Sequence, residues 1–133
     1  MRGKRMPYYA HIRQDENGET IYQTVAEHLT GTAALCREFA ADFGAEADGD
    51  LMGLAHDLGK CTDAFQKRLL EGGPVVDHTT AGMLTCIRMK RPSAAACVAG
   101  HHGGLLDVGN LRTDRAGEAT LSGRFKKGVE GHY

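Results

Sequence analysis

Histidine and aspartate in the run Ala55-His56-Asp57-Leu58-Gly59-Lys60 place an imidazole, a carboxylate and an ammonium within five positions. Three more histidine sites lie elsewhere: His28, His78 and the adjacent pair His101-His102. Imidazole and carboxylate are the usual protein ligands of divalent first-row metals, and a carboxylate can bridge two ions through its two oxygens. Lys60, three residues after Asp57, can aim a cation at a phosphate. The pair His101-His102 is flanked by Gly100 and by Gly103-Gly104. Small flanks let the backbone approach closely, and two adjacent imidazoles at an apolar helix end are costly unless used. A lone histidine is most often a surface or hydrogen-bonded residue; His11 and His132, far from other candidate ligands in the chain, are read that way. Asp77 either orients His78 or caps a helix.

The elements that must position these groups follow from periodicity. Tyr8 to Arg13 and Glu19 to Tyr22 are β-prone runs separated by Asn17-Gly18, which predicts a small hairpin. From Gln23 to Phe43 the apolar residues Val25, Leu29, Ala33, Cys36, Phe39-Ala40 and Phe43 recur at three- and four-residue steps, an amphipathic helix stopped by Gly44. His28 stands at the edge of that stripe and can reach inward. A second helix, capped by Asp48 or Asp50, has Leu51, Leu54-Ala55 and Leu58 inward and ends at Gly59, with His56 and Asp57 in its last turn. A third opens at Thr62 or Asp63 and runs through Leu70 to the breaker Gly72-Gly73-Pro74. A fourth runs from Asp77 or His78 to Lys90, with Ala81, Leu84-Thr85 and Arg88 on successive turns. Pro92 starts a fifth that reaches about His102. Beyond Gly104 the chain is glycine-rich and polar, then a weak helix over about 119–129 puts Leu121, Phe125 and Val129 on one face. The ligand candidates thus sit on different helices, a spacing that fits convergence on one point of a bundle.

Bulk properties narrow the classes. At 133 residues, 41% hydrophobic and 25% charged, the chain is an ordinary single domain. No apolar run approaches the roughly 18 residues that span a bilayer, and the basic start lacks an apolar signal core, so no membrane partner and a cytoplasmic location are expected. Net charge is −1, so no global basic field draws it to nucleic acid. The cysteines Cys36, Cys61, Cys86 and Cys97 form no C-x-x-C pair. Cys36, Cys86 and Cys97 read as small buried hydrophobes of a reducing compartment.

Taken in order, an isolated helical histidine, His-Asp-x-Gly-Lys, a single histidine and His-His resemble the HD metal-dependent phosphohydrolase superfamily. The stretches YYAHIRQDENGETIYQTVAEHLTGTAAL, LAHDLGKCTDAFQKRL, DHTTAGML and AGHHGGLLD are similar to the HD nuclease domain of the CRISPR-associated helicase-nuclease of type I interference systems. The match runs from about Tyr8 to Leu106 and more loosely to Tyr133. It implies an all-α HD-domain helical bundle with a small N-terminal β-hairpin: hairpin over 1–22, helical core over 23–103, loop and weak helix over 104–133. It also implies two ions, the first held by His28, His56 and Asp57 and the second by Asp57, His78, His101 and His102, with Asp57 bridging. His56, Asp57 and Lys60 would be catalytic, Lys60 as an electrostatic clamp, in a reaction where an activated water attacks a phosphodiester in line.

Histidine-rich ligation favours manganese, nickel, cobalt or iron over magnesium, which prefers oxygen. The family's substrate is single-stranded DNA, delivered by a helicase domain or subunit and an RNA-guided CRISPR surveillance complex. Family members carry a further aspartate on a later helix that completes the first ion's ligands. No residue here matches it, Asp107 and Asp114 following the His-His pair too closely. The domain is therefore expected to be C-terminally incomplete, with one ion or two. Two other readings stand beside the nuclease: an HD nucleotide phosphohydrolase or cyclic-nucleotide phosphodiesterase, and a catalytically impaired metal-binding or assembly module.

Overall fold

The hairpin begins where the sequence places it. In the computed structural model, which describes residues 6–128, β1 (Tyr9–Gln14) pairs antiparallel with β2 (Thr20–Thr24). The Asp15 carboxylate accepts hydrogen bonds from the N–H groups of Asn17 and Glu19, and Gly18 takes the left-handed conformation, so the turn closes locally. The register shifts between Tyr9 and His11, a bulge that tucks Ala10 into the interior and re-aims His11.

Helix α1 (Val25–Ala41) starts directly after β2 because Thr24 and Glu27 form a capping box, each satisfying the other's backbone N–H. Gly44, at φ 70°, lets the chain turn away. Helix α2 (Glu46–Ala55) lies close against α1 because Gly49 and Gly53 have no side chain. A Cβ at Gly49 would stand 2.5 Å from the Cys36 carbonyl oxygen, and one at Gly53 would overlap the Ala33 backbone. A 3₁₀ turn (Leu58–Cys61) and α3 (Asp63–Glu71), capped by Thr62, follow. Helices α4 (Thr80–Arg88) and α5 (Pro92–Gly100) pack on α2 around Ala55, Met83, Cys86 and Val98, and α6 (Leu121–Lys127) is the last helix among the described residues. A second apolar cluster joins Ala10, Val25 and Leu29 to Leu58, seating the hairpin on α1 and the 3₁₀ turn. The class is all-α with a small N-terminal hairpin, as the periodicity implies. No helix among the described residues is long and apolar enough to cross a membrane.

Several expectations need correction. Helix α2 begins at Glu46, before either aspartate expected to cap it; Ala45 is at its N-cap and Asp48 instead pairs with Arg91 at 2.7 Å. It also ends earlier, with His56 as its C-cap, and Asp57 departs from helical geometry at φ −115°. Helix α4 starts two residues after His78, and α5 ends before His101, which is its C-cap. The α1 stripe is only half used: Leu29, Ala33 and Ala40 are buried, whereas Phe39 and Phe43 are exposed. Cys97 is exposed as well, and Cys36 only partly covered, so of the three thiols read as core only Cys86 is fully buried. Phe125 is exposed, and Val129, with His132, lies outside the described residues.

Candidate metal centre

Asp57 is the hub. It sits in the two-residue break between α2 and the 3₁₀ turn and is 3% exposed. Its two oxygens face different partners. Oδ2 lies 2.9 Å from His28 Nε2, 3.3 Å from His56 Nε2 and 2.9 Å from Lys60 Nζ. Oδ1 lies 3.2 Å from His101 Nε2, 3.5 Å from His78 Nε2 and 3.9 Å from His102 Nε2. Within each half the imidazoles also approach one another: His28 Nε2 to His56 Nε2 is 3.0 Å, and His78 Nε2 to His102 Nε2 is 2.9 Å. All six expected ligands therefore converge, on the two sides of one carboxylate.

The other ring nitrogen of three histidines is engaged by backbone. His56 Nδ1 stands 2.8 Å from Gly53 O, His101 Nδ1 2.7 Å from Val98 O, and His78 Nδ1 3.2 Å from Val76 O. A carbonyl only accepts, so each Nδ1 carries a proton and Nε2 is the nitrogen left to face Asp57 or an ion. Imidazole nitrogens about 3 Å apart are joined either by a shared proton or by a cation among them, and that separation suits adjacent donors on an ion with bonds of about 2.1 Å. The donor atoms of Asp57, His78, His101 and His102 all lie within 4.8 Å of one another, as do those of His11, His28 and Asp57. The residues present fit divalent ions.

Local sequence explains the placement. His28 rides one turn inside α1, fixed by the Thr24 cap. Gly59 donates its N–H to His78 O at 3.2 Å, and a Cβ there would overlap the His78 backbone, so this glycine brings His78 to Asp57. Asp77 is a helix cap and does not orient His78: its carboxylate accepts from the N–H groups of Thr79 and Thr80 and from the Thr80 hydroxyl at 2.5 Å. The Arg124 guanidinium of α6 donates to Ala99 O at 2.6 Å and to Thr79 Oγ1 at 3.1 Å, tying the ends of α4 and α5 together below the His-His pair. Asp114 takes no part, since its carboxylate binds the Thr120 hydroxyl and the Asn110 N–H.

Two participants were not apparent from sequence. His11 packs edge-on against His28 at 4.7 Å between ring centroids, and its Nε2 is 3.3 Å from Lys60 Nζ. Only the bulge at Ala10 brings it there, and no spacing in the sequence announces a bulge. Gln66 of α3 clasps the hairpin: its amide bonds both the N–H and the carbonyl of Tyr9 and donates to Lys60 O at 2.8 Å. Lys60 itself is buried, with Nζ held by Asp57 Oδ2, Ala10 O and His11 Nε2, one acceptor for each of its three N–H bonds.

The electrostatics match this arrangement. Burial opposes ionisation of Asp57, but hydrogen bonds from His101, His56 and Lys60 together outweigh it and hold the carboxyl far below the usual carboxylate range. Burial pushes His28, His78, His102 and His11 toward the neutral, ligand-competent form. His101 shifts upward through its hydrogen bond to Asp57. One rim is open, the His102 side chain being 59% exposed.

A helical domain that gathers one buried carboxylate and five imidazoles into two adjoining sets of donors has the architecture of a metal-dependent phosphohydrolase. The model of the HD domain family matches residues 25–122, and the chain belongs to that family. No curated protein matches it.

Proposed function

We propose that this domain is a metal-dependent nuclease that hydrolyses phosphodiesters of single-stranded DNA, in the manner of the type I CRISPR interference nuclease it resembles. The observation that carries the reading is the division of labour at Asp57, one oxygen toward His28 and His56 and the other toward His78, His101 and His102. When bound, two divalent ions side by side supply Lewis acidity toward a phosphoryl oxygen and make a water nucleophilic near neutral pH.

The chain's own groups prepare that chemistry. The carbonyls of Gly53, Val76 and Val98 hold Nδ1 of three imidazoles, so that Nε2 is the nitrogen turned toward an ion. Asp57 stays ionised, and Lys60 lends its charge to the centre through that carboxylate. Imidazole-rich donor sets favour manganese, nickel, cobalt or iron over magnesium. The exposed rim at His102 admits a polymer, which favours a strand over a small nucleotide enclosed in a pocket.

The test is cleavage of circular single-stranded DNA by the metal-loaded protein, beside Asp57→Ala as control. Manganese-dependent cleavage that the variant lacks is expected. Hydrolysis of nucleotides with DNA left intact would replace this reading with a nucleotide phosphohydrolase. Wild-type activity no greater than that of the variant would leave a metal-binding or assembly module.

A further inference from the structure

Positions 32, 35, 36 and 39 of α1 follow three- and four-residue steps and share one face of the helix, and Phe43 follows in the turn just beyond its end. Its outer half is uncovered: Leu35 is 54% exposed, Phe39 67% and Phe43 76%. The inner half, Thr32 and Cys36, forms one wall of a cavity of about 250 Å³, with Met52 and Gly53 of α2 and Cys97 and Val98 of α5 as the others. His56 and His101 close the end of that cavity. Face and cavity together make an apolar groove that runs from the C-terminal end of α1 to the seam between the two sets of donors. Contiguous apolar surface of this kind marks an interaction site, unlike scattered single residues.

Shape and charge choose the occupant. Large side chains grip from α1, while the small Cys97 on α5, which is exposed, leaves room opposite them, the geometry of a helix laid in a groove. Exposed Glu38 and Asp42 border the Phe39–Phe43 stripe, and the last turn of α1 carries no basic residue. Carboxylates near a helix C-terminus oppose its macrodipole, so this rim is doubly negative and calls for cations. A polynucleotide laid along the aromatic stripe would meet two carboxylates and a negative helix end. A basic-flanked helix meets its complement there. We propose that the α1/α2/α5 groove docks an amphipathic helix with a basic flank, contributed by another polypeptide.

The probe is a labelled amphipathic helical peptide with leucines at i, i+3, i+4 and i+7 and lysines on both flanks, beside a glutamate-flanked twin. Fluorescence anisotropy against the full chain should show the lysine peptide binding at least about tenfold tighter than the twin. Phe39→Glu should weaken it by about tenfold or more while the circular dichroism spectrum and manganese stoichiometry stay unchanged. The double substitution Glu38→Lys, Asp42→Lys should reverse the preference between the two peptides, which a merely sticky surface cannot do. Equal binding of both peptides, or binding indifferent to Phe39, overturns the proposal. So does a single-stranded oligonucleotide whose binding depends on Phe39, which assigns the groove to the substrate strand. Sedimentation velocity should show a monomer; a dimer abolished by Phe39→Glu overturns the proposal in favour of a second copy.

Discussion

At the scale of single residues, the centre depends on Asp57 having two equivalent oxygens. Asparagine keeps the shape but offers one carbonyl oxygen and one amide that cannot ligate. Asp57→Asn should therefore abolish binding of one ion and weaken the other, which titration calorimetry with manganese counts directly, and activity should fall by about 100-fold or more. Two ions bound with near-native affinity would show that Asp57 does not bridge. A pH dependence follows from the imidazoles. Burial lowers His28, His78, His102 and His11, so below about pH 6.5 the unfolded chain takes up protons that the folded, metal-free chain refuses, and stability must fall as pH drops. His101 acts in reverse, its contribution being present at low pH and lost as pH rises through its raised folded value. One residue against four leaves a net loss on acidification. Asp57 adds nothing in this window, because the contribution of a depressed carboxyl is complete above about pH 3.9 and disappears only below it. The Tm of the metal-free protein should decline from pH 8 to 5.5; a Tm that rises instead would mean that His101 dominates. The ligand types were legible in the sequence because His56-Asp57 stands together with Lys60, Asp77-His78 and the glycine-flanked pair His101-His102. His11 was not, since its contacts with His28 and Lys60 exist only across the hairpin.

At the scale of elements, the site is assembled by interruptions more than by helices. His56, Asp57, His78, His101 and His102 all lie at or just beyond a helix end, and only His28 lies within one. Apolar periodicity reads helix interiors well and ends poorly, which is why α1 and α3 could be read from sequence while the exit of α2 at His56, the late start of α4 and the early end of α5 could not. The break after α2 frees Asp57 from the helical ladder, and Gly59 then lets the 3₁₀ turn touch the loop that carries His78. Gly59→Ala forces those backbones apart at a cost of about 1–3 kcal/mol, the usual range for overpacking. Because His28 and His56 come from α1 and α2 and do not pass through that contact, the loss should be selective. Calorimetry on the variant should retain the ion held by His28, His56 and Asp57 and lose the one that needs His78. Equal loss of both, with the fold intact by circular dichroism, would show that the two sets are not independent.

At the scale of the whole molecule, the hairpin, which lies outside the residues that match the family, is built into the centre. Its bulge delivers Ala10 O and His11 Nε2 to the Lys60 ammonium, and Lys60 in turn rests on Asp57. The hairpin pairs only two strands, and isolated two-stranded hairpins are marginal in water, so something must hold it. Burial of Ala10 against Val25 and Leu29 does part of this, and the Gln66 amide adds a hydrogen bond to each backbone group of Tyr9. Its role could not be read from periodicity, because a glutamine on an α3 surface looks like any solvated residue until the strand arrives beside it. Gln66→Leu keeps a good helix former in α3 while removing all three bonds to Tyr9 and Lys60. The helical core should stay folded, the hairpin amides should exchange with deuterium markedly faster, and Lys60 should lose its orientation toward Asp57. Partners one layer behind a metal ligand are worth about 10- to 100-fold in metal affinity, so ion binding should weaken within that range. Faster exchange in the hairpin with unchanged ion affinity would separate the two, and would mean that Lys60 finds Asp57 without help from β1.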